Sequence, residues 1–200
     1  QLLANRQVKK TEQDDLVKSY QLATAGRNNR DFFSAFSKHL EGCHELLLRV
    51  PGADCWGDPA RIWPTGNPWM REKAELPELV SNWRELLEAE GFGKGVYKGF
   101  CSVADHLMSW EPGTDLFEKS KTLLTRAFEG LGDMLVGDWE FKFGNARVMN
   151  RPSVEFGQKL ARVLRYCIAW ELETRLARTR GIYGLMDAFE KQYDSSVRRA

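Results

Sequence analysis

A stretch of 28 residues near the C-terminus, 153–180, constrains the fold of this chain more than any other sequence feature. It contains no proline and a single glycine, and its apolar residues recur at steps of three and four. Those residues are Leu160, Ala161, Leu164, Cys167, Ile168 and Leu172. The pattern predicts one helix of about 42 Å. A helix of that length needs several partners to cover its apolar face.

The rest of the chain predicts an all-α fold, with about six helices packed around the long C-terminal helix 153–180. We expect a flexible arm over residues 1–10, a single helical domain over 11–194 and a tail over 195–200. Gly181 predicts a break between the long helix and a short closing helix. The segment GFGKGVYKGF, residues 91–100, predicts a flexible hinge, because no strand precedes its glycines as a phosphate loop would require.

Two further segments stand apart from the helical patterns. Residues 51–70 hold four prolines, three glycines and three tryptophans. They predict either a loop that is ordered on the body by three buried indoles, or a loop that binds a partner. Residues 139–149 are compatible with a small β-hairpin, because apolar and polar residues alternate before the Gly144-Asn145 turn signal. Such a hairpin would have to lie on the helices or pair with another chain.

Three charged residues interrupt the apolar face of the long helix: Glu171, Arg175 and Arg178. They favour three interpretations: an ion pair that surfaces at the end of the core, a polar contact to another subunit, or a pocket whose arginines hold an anionic ligand. Arg162 and Arg165 point away from the apolar face and predict a solvated surface.

Composition and motifs count against several classes of function. The net charge of +1 counts against a dedicated nucleic-acid binder. The sequence has no run of about 18 apolar residues, so it predicts no segment that inserts into a membrane. The sequence carries no recognisable catalytic motif and predicts no cofactor. A zinc site built from His39, Cys43, Cys101 and His106 is not predicted, because their spacing matches no compact metal motif.

The leading functional interpretation is a non-enzymatic helical interaction or structural subunit of a larger assembly, whose partners are other protein subunits. It rests on the lack of a catalytic motif, the unanchored basic arm, the aromatic loop and the hairpin without a sheet. The candidate interaction residues are Trp56, Trp63, Trp69, Glu171, Arg175 and Arg178. The alternative is a helical enzyme or binding protein for a small anionic ligand held by arginines. A nucleic-acid-coating protein is the second alternative.

The four cysteines, at positions 43, 55, 101 and 167, are widely spaced, and we predict that all are reduced in the native protein. This slightly favours a reducing compartment such as the cytoplasm or an organelle matrix. Alkylation of the unfolded protein without reductant should therefore add four labels by intact mass. Fewer than four labels would contradict the prediction.

Overall fold

The computed structural model describes residues 10–25, 36, 45–70, 75–117, 121–143 and 149–197. These residues form an all-α protein, which confirms the predicted fold class. The α-helices are α1 (Lys10–Ala23), α2 (Leu76–Arg84), α3 (Lys94–Ser109), α4 (Lys121–Glu129), α5 (Leu131–Val136) and α6 (Val154–Val197). Two short 3₁₀ helices, Ala53–Cys55 and Pro59–Arg61, order the proline- and tryptophan-rich loop.

Parts of the predicted organisation fall outside these ranges. The predicted arm lies outside the described residues apart from Lys10, which begins α1. The helical stripe Phe32, Phe36, Leu40, Cys43 and Leu47 predicts a helix that ends before Pro51; most of it lies outside the described residues, and residues 45–49 at its end are helical. Residues 195–197 of the predicted tail continue α6.

By internal packing the chain divides into two compact units. The terminal unit comprises residues 1–66 together with 172–200, and the central unit comprises residues 67–171. Helix α6 contributes residues to both. The single helical domain over 11–194 stays a prediction, because packing units need not fold independently.

The core of the central unit is built around the fully buried ring of Phe100 in α3. Five aromatic rings lie with their centroids 5.3–6.4 Å from it: Trp83, Phe92, Trp139, Phe141 and Phe156. Such pairs are worth about 0.5–1.5 kcal/mol each beyond the area they bury. Because these rings come from α2, α6 and two connecting segments, one side chain fixes the arrangement of four parts of the chain.

The predicted hairpin over 139–149 is represented by one antiparallel bridge between Phe141 and Asn150. Each residue donates its backbone N–H to the other's carbonyl, at 3.0 and 2.9 Å. Residues 144–148 lie outside the described ranges. Trp139 and Phe141 are buried whereas Lys142 is exposed, so the period-two pattern reflects packing on the helices.

The start of helix α6 is capped by Ser153, which is itself hydrogen-bonded to Glu90. The hydroxyl oxygen of Ser153 accepts the Phe156 N–H at 3.2 Å, as an N-terminal capping residue does. The Ser153 N–H donates to the Glu90 carboxylate at 2.7 Å, and the Ser153 hydroxyl donates to the same group. A carboxylate at this position also suits the positive end of the helix dipole.

The predicted break at Gly181 is wrong, because α6 continues without interruption to Val197. Gly181 is buried, and a Cβ there would collide with the Ala23 nitrogen and lie 2.6 Å from the Ser19 carbonyl oxygen of α1. A Cβ at Gly184 would collide with the Ser19 hydroxyl. In the terminal unit these glycines therefore permit a close contact between helices, at a cost in helix propensity of about 1 kcal/mol each.

The predicted flexible hinge is also wrong over most of its length, since α3 begins at Lys94. Gly95 and Gly99 lie inside α3, and added Cβ atoms there would lie 3.8 and 3.5 Å from the ring of Phe143. Of the glycines in this segment, only Gly91 shows the left-handed backbone expected of a turn, with φ of 65°. Gly95 and Gly99 leave room for the ring of Phe143.

Three cysteines, Cys55, Cys101 and Cys167, carry free thiols, in agreement with the prediction of reduced cysteines. Cys43 lies outside the described residues. Burial raises the pKa of Cys167 to about 12, because the charged thiolate loses its hydration in the core. This thiol stays protonated at neutral pH and packs as an apolar side chain.

We predict opposite effects of alanine at two glycines only two residues apart. A Cβ at Gly130 would collide with the indole of Trp139, which cannot move aside because it is buried and stacked on Phe141 at 4.6 Å. Gly130→Ala should therefore lower the free energy of unfolding by about 1–3 kcal/mol. Gly132→Ala meets no atom within 4 Å and should raise it by up to about 1 kcal/mol.

Chemical denaturation followed by circular dichroism measures both variants. Gly132→Ala is the control for helix propensity, since the substitution and the local sequence are matched. Equal or greater stability of Gly130→Ala relative to the parent would contradict the packing role of this glycine.

Candidate functional site

A groove of about 260 Å³ opens at the surface of the central unit. Its apolar lining comes from the residues before α2, from α2 and from α5: Pro68, Trp69, Leu79 and Leu135. Helix α6 supplies the other side: Gln158, Arg162, Arg165 and Tyr166. Of these residues Leu79 is buried, and the others reach the surface wholly or in part.

The α6 residues of the groove share one face because of their spacing. Arg162, Arg165 and Tyr166 follow Gln158 by four, seven and eight residues, which is the period of a helical stripe. The ring of Tyr166 is anchored edge-on against Trp170, with centroids 6.1 Å apart. A rigid helix therefore presents an amide, two guanidinium groups and a phenol to the groove.

Trp69 is held at the groove by a tight turn. The Met70 N–H donates to the Asn67 carbonyl at 3.3 Å, and the Trp69 N–H donates to the Asn67 side-chain oxygen at 3.0 Å. Asn followed by Pro favours the first two positions of such a turn, and the asparagine side chain reinforces it. Asn67 itself is buried. The indole is consequently ordered although it is 40% exposed.

The guanidinium of Arg165 lies over the indole of Trp69, 5.6 Å from the ring centroid. Such a cation–π contact contributes about 0.5–1 kcal/mol at exposed sites and holds the planar guanidinium in one orientation. Within the described ranges no acidic side chain forms an ion pair with Arg165. The described lining of the groove includes Arg162 as a second cation and no carboxylate.

Apolar surface continues beyond the groove. Val136, which follows the lining residue Leu135, is 79% exposed. Val154, one helical turn before Gln158, is 52% exposed and packs at Gly137, where a Cβ would lie 3.1 Å from its methyl groups. We call the exposed side chains Trp69, Leu135, Val136 and Val154, together with the α6 residues of the groove, the groove surface.

The three tryptophans predicted as interaction residues have different environments. Trp56 is buried in the terminal unit, donates its indole N–H to the Val50 carbonyl at 2.7 Å and lies 5.7 Å from the ring of Tyr183. Trp63 is half-buried, also in the terminal unit, whereas Trp69 belongs to the central unit. The expectation of three buried indoles is therefore wrong, because the Asn67 turn directs Trp69 to the surface.

The charged residues predicted on the long helix also have different environments. Glu171, half-buried in the central unit, accepts the Gly113 N–H at 2.6 Å. Arg175 and Arg178 belong to the terminal unit, where Arg175 is exposed and Arg178 half-buried. The Nε atom of Arg178 is buried and has no hydrogen-bond partner among the described residues. A binding role for these three residues stays a prediction.

Among the remaining titratable candidates, His106 makes a structural contact. The Nε2 atom of His106 lies 2.8 Å from the Leu116 carbonyl oxygen, so this buried ring holds the segment after α3. In the described ranges no group of three His, Cys, Asp or Glu side chains could hold a metal ion. His39 and Cys43 lie outside those ranges. None of the helices in the described ranges has both the length and the apolar character needed to cross a membrane.

Sequence reasoning missed the α6 side of the groove. The angular positions of Arg162 and Arg165 were compatible with a solvated face, and that prediction named no partner for them. The signals that could have found the site were the helical spacing of Gln158, Arg162 and Arg165 and the Asn-Pro-Trp turn signal at residues 67–69. Neither signal shows that a turn so distant in sequence meets this helix face.

Comparisons of the chain with models of protein families, with curated proteins and with solved structures found no match.

Asn67→Ala should lower the free energy of unfolding by about 1 kcal/mol, because the Trp69 N–H loses its acceptor. Asn67→Ser, which keeps a neutral acceptor oxygen and also favours this turn position, should lose less. Chemical denaturation of the two variants measures the difference. If both variants lose the same stability, the turn is not held by this side-chain hydrogen bond.

Proposed function

We propose that this chain is a non-enzymatic helical interaction subunit that binds another protein through the groove surface. The observation that supports the proposal is the exposed Trp69 indole, held by the Asn67 turn and covered on one face by Arg165. Tryptophan and arginine are the residue types that most often dominate the energetics of protein interfaces.

The apolar surroundings of Trp69 support the same function. Leu135 lines the groove, and Leu135, Val136 and Val154 expose 36, 79 and 52% of their surface. Exposed apolar residues at a groove with polar neighbours are typical of an interaction site. Because the turn and the helix are ordered without a partner, association would cost less conformational entropy than binding by a flexible loop.

A second candidate function is the binding of a small anionic ligand, which the pair Arg162 and Arg165 favours. The size of the groove argues against it. Pockets for small molecules and cofactors usually enclose about 300–1,000 Å³, whereas this groove offers about 260 Å³ and is rimmed by exposed side chains. A segment of a larger partner fits an open groove better. For nucleic-acid coating, the net charge of +1 provides no support.

Co-purification from cells that make the protein naturally tests the proposed function. The full chain should be recovered in a heteromeric complex, and Trp69→Ala should weaken that complex because it removes the largest exposed anchor. Native mass spectrometry gives the stoichiometry of each complex.

Met108→Ala is the matched control, since Met108 is 38% exposed in the same unit but lies outside the groove surface. It should leave the complex intact. Recovery of the chain as a monomer, or an identical complex with Trp69→Ala, would contradict the proposed function.

A further inference from the structure

We propose that the groove surface binds an acidic segment of the partner protein, with a carboxylate at Arg165 and an adjacent apolar side chain against Leu79 and Leu135. This inference rests on the proposed function and names the chemistry of the partner. It is drawn from the charge and the size of the groove and from the environment of Arg165.

The charge of the groove selects an acidic occupant. Arg162 and Arg165 are both in its lining, and the described lining holds no carboxylate that could neutralise Arg165. Glu155, earlier on α6, is engaged with Lys159 at 2.9 Å. A partner that carries aspartate or glutamate would therefore complement the groove, whereas a basic segment would be repelled.

The environment of Arg165 suits a carboxylate. The guanidinium carbon lies over the Trp69 ring, and this cation–π contact holds the charge at the groove without a carboxylate partner among the described residues. An arginine fork binds a carboxylate through two parallel hydrogen bonds, which are stronger than bonds between neutral groups. The contact with the indole also reduces the side-chain freedom that would otherwise be lost on binding.

The size and apolar lining favour a peptide over a nucleic acid. Phosphates also bind arginine forks, but backbone binding to nucleic acid relies on many cations placed along the strand. The described lining supplies two, next to Leu79 and Leu135. These leucines fit an apolar side chain beside the carboxylate, and the exposed Val136 extends the apolar surface.

Selection of peptides from a random library by the full chain tests the inference and does not require the partner to be identified first. The selected peptides should be enriched in Asp or Glu next to Leu, Met or Phe. Their affinities, measured by fluorescence anisotropy with labelled peptides, should fall at least about tenfold with Arg165→Ala, because a charge-assisted bond is lost.

Two variants separate charge geometry from net charge. Arg165→Lys keeps the charge but loses the planar fork, so its affinity should lie between those of the parent and Arg165→Ala. Arg126→Ala removes an exposed arginine of the same unit outside the groove and should leave the affinity unchanged.

A charge exchange gives the sharpest result. Arg165→Glu should reject the selected acidic peptide and bind a version in which lysine replaces the acidic residue. If the exchange restores no binding, or if selection yields no acidic peptides, the inference is overturned. Tighter Arg165-dependent binding of mixed-sequence single-stranded DNA would assign the groove to nucleic acid instead.

The outcomes for the inference and for the proposed function are distinguishable. A natural complex that depends on Trp69 but tolerates Arg165→Ala would leave the proposed function standing and overturn the acidic occupant. The absence of any Trp69-dependent complex would contradict the proposed function whatever peptides are selected.

Discussion

The contact of Phe100 with five other aromatic rings is the constraint on which the central unit depends. Trp83 of α2 and Phe156 of α6 both pack on this ring and lie 5.5 Å from each other. These ring contacts connect α2 to the start of α6, two of the elements that line the groove. Leu79 lies one turn before Trp83, and Gln158 lies two residues after Phe156. The buried Trp83 N–H finds no hydrogen-bond partner among the described residues, a cost of about 1–3 kcal/mol that the ring contacts must offset.

Two acidic side chains in the central unit accept hydrogen bonds from the backbone at or near α6. Glu90 accepts the N–H of Ser153 at the start of α6, and Glu171 accepts the N–H of Gly113 further along the same helix. Each carboxylate satisfies a backbone donor that would otherwise have to find water. On the groove side of α6, Arg165 lies over an aromatic ring, and among the described residues no acidic side chain forms an ion pair with it. The groove keeps its positive character for that reason.

Features with a local cause were predictable from the sequence, and features with a distant cause were not. The helical periods of α2, α3 and α6 follow from spacing alone, as does the alternating burial of Trp139 and Phe141. The role of Gly181 was not predictable, because a glycine that ends a helix and one that admits a neighbouring helix look alike in sequence. The pairing of Trp69 with Arg165 was missed for a similar reason. It depends on tertiary packing, which brings an Asn-Pro-Trp turn to one particular face of α6.

The packing of the central unit also explains how a binding surface can exist without weakening the fold. The buried rings around Phe100 stabilise the unit from within, whereas Val136 and Val154 contribute little because much of their surface stays in water. Trp69 is intermediate, since Asn67 fixes its backbone while its ring remains partly exposed. Substitution of the exposed side chains therefore changes the surface more than the core. The core orders these exposed side chains but gains little stability from them. They can therefore be changed to suit a partner at a small cost in the free energy of unfolding.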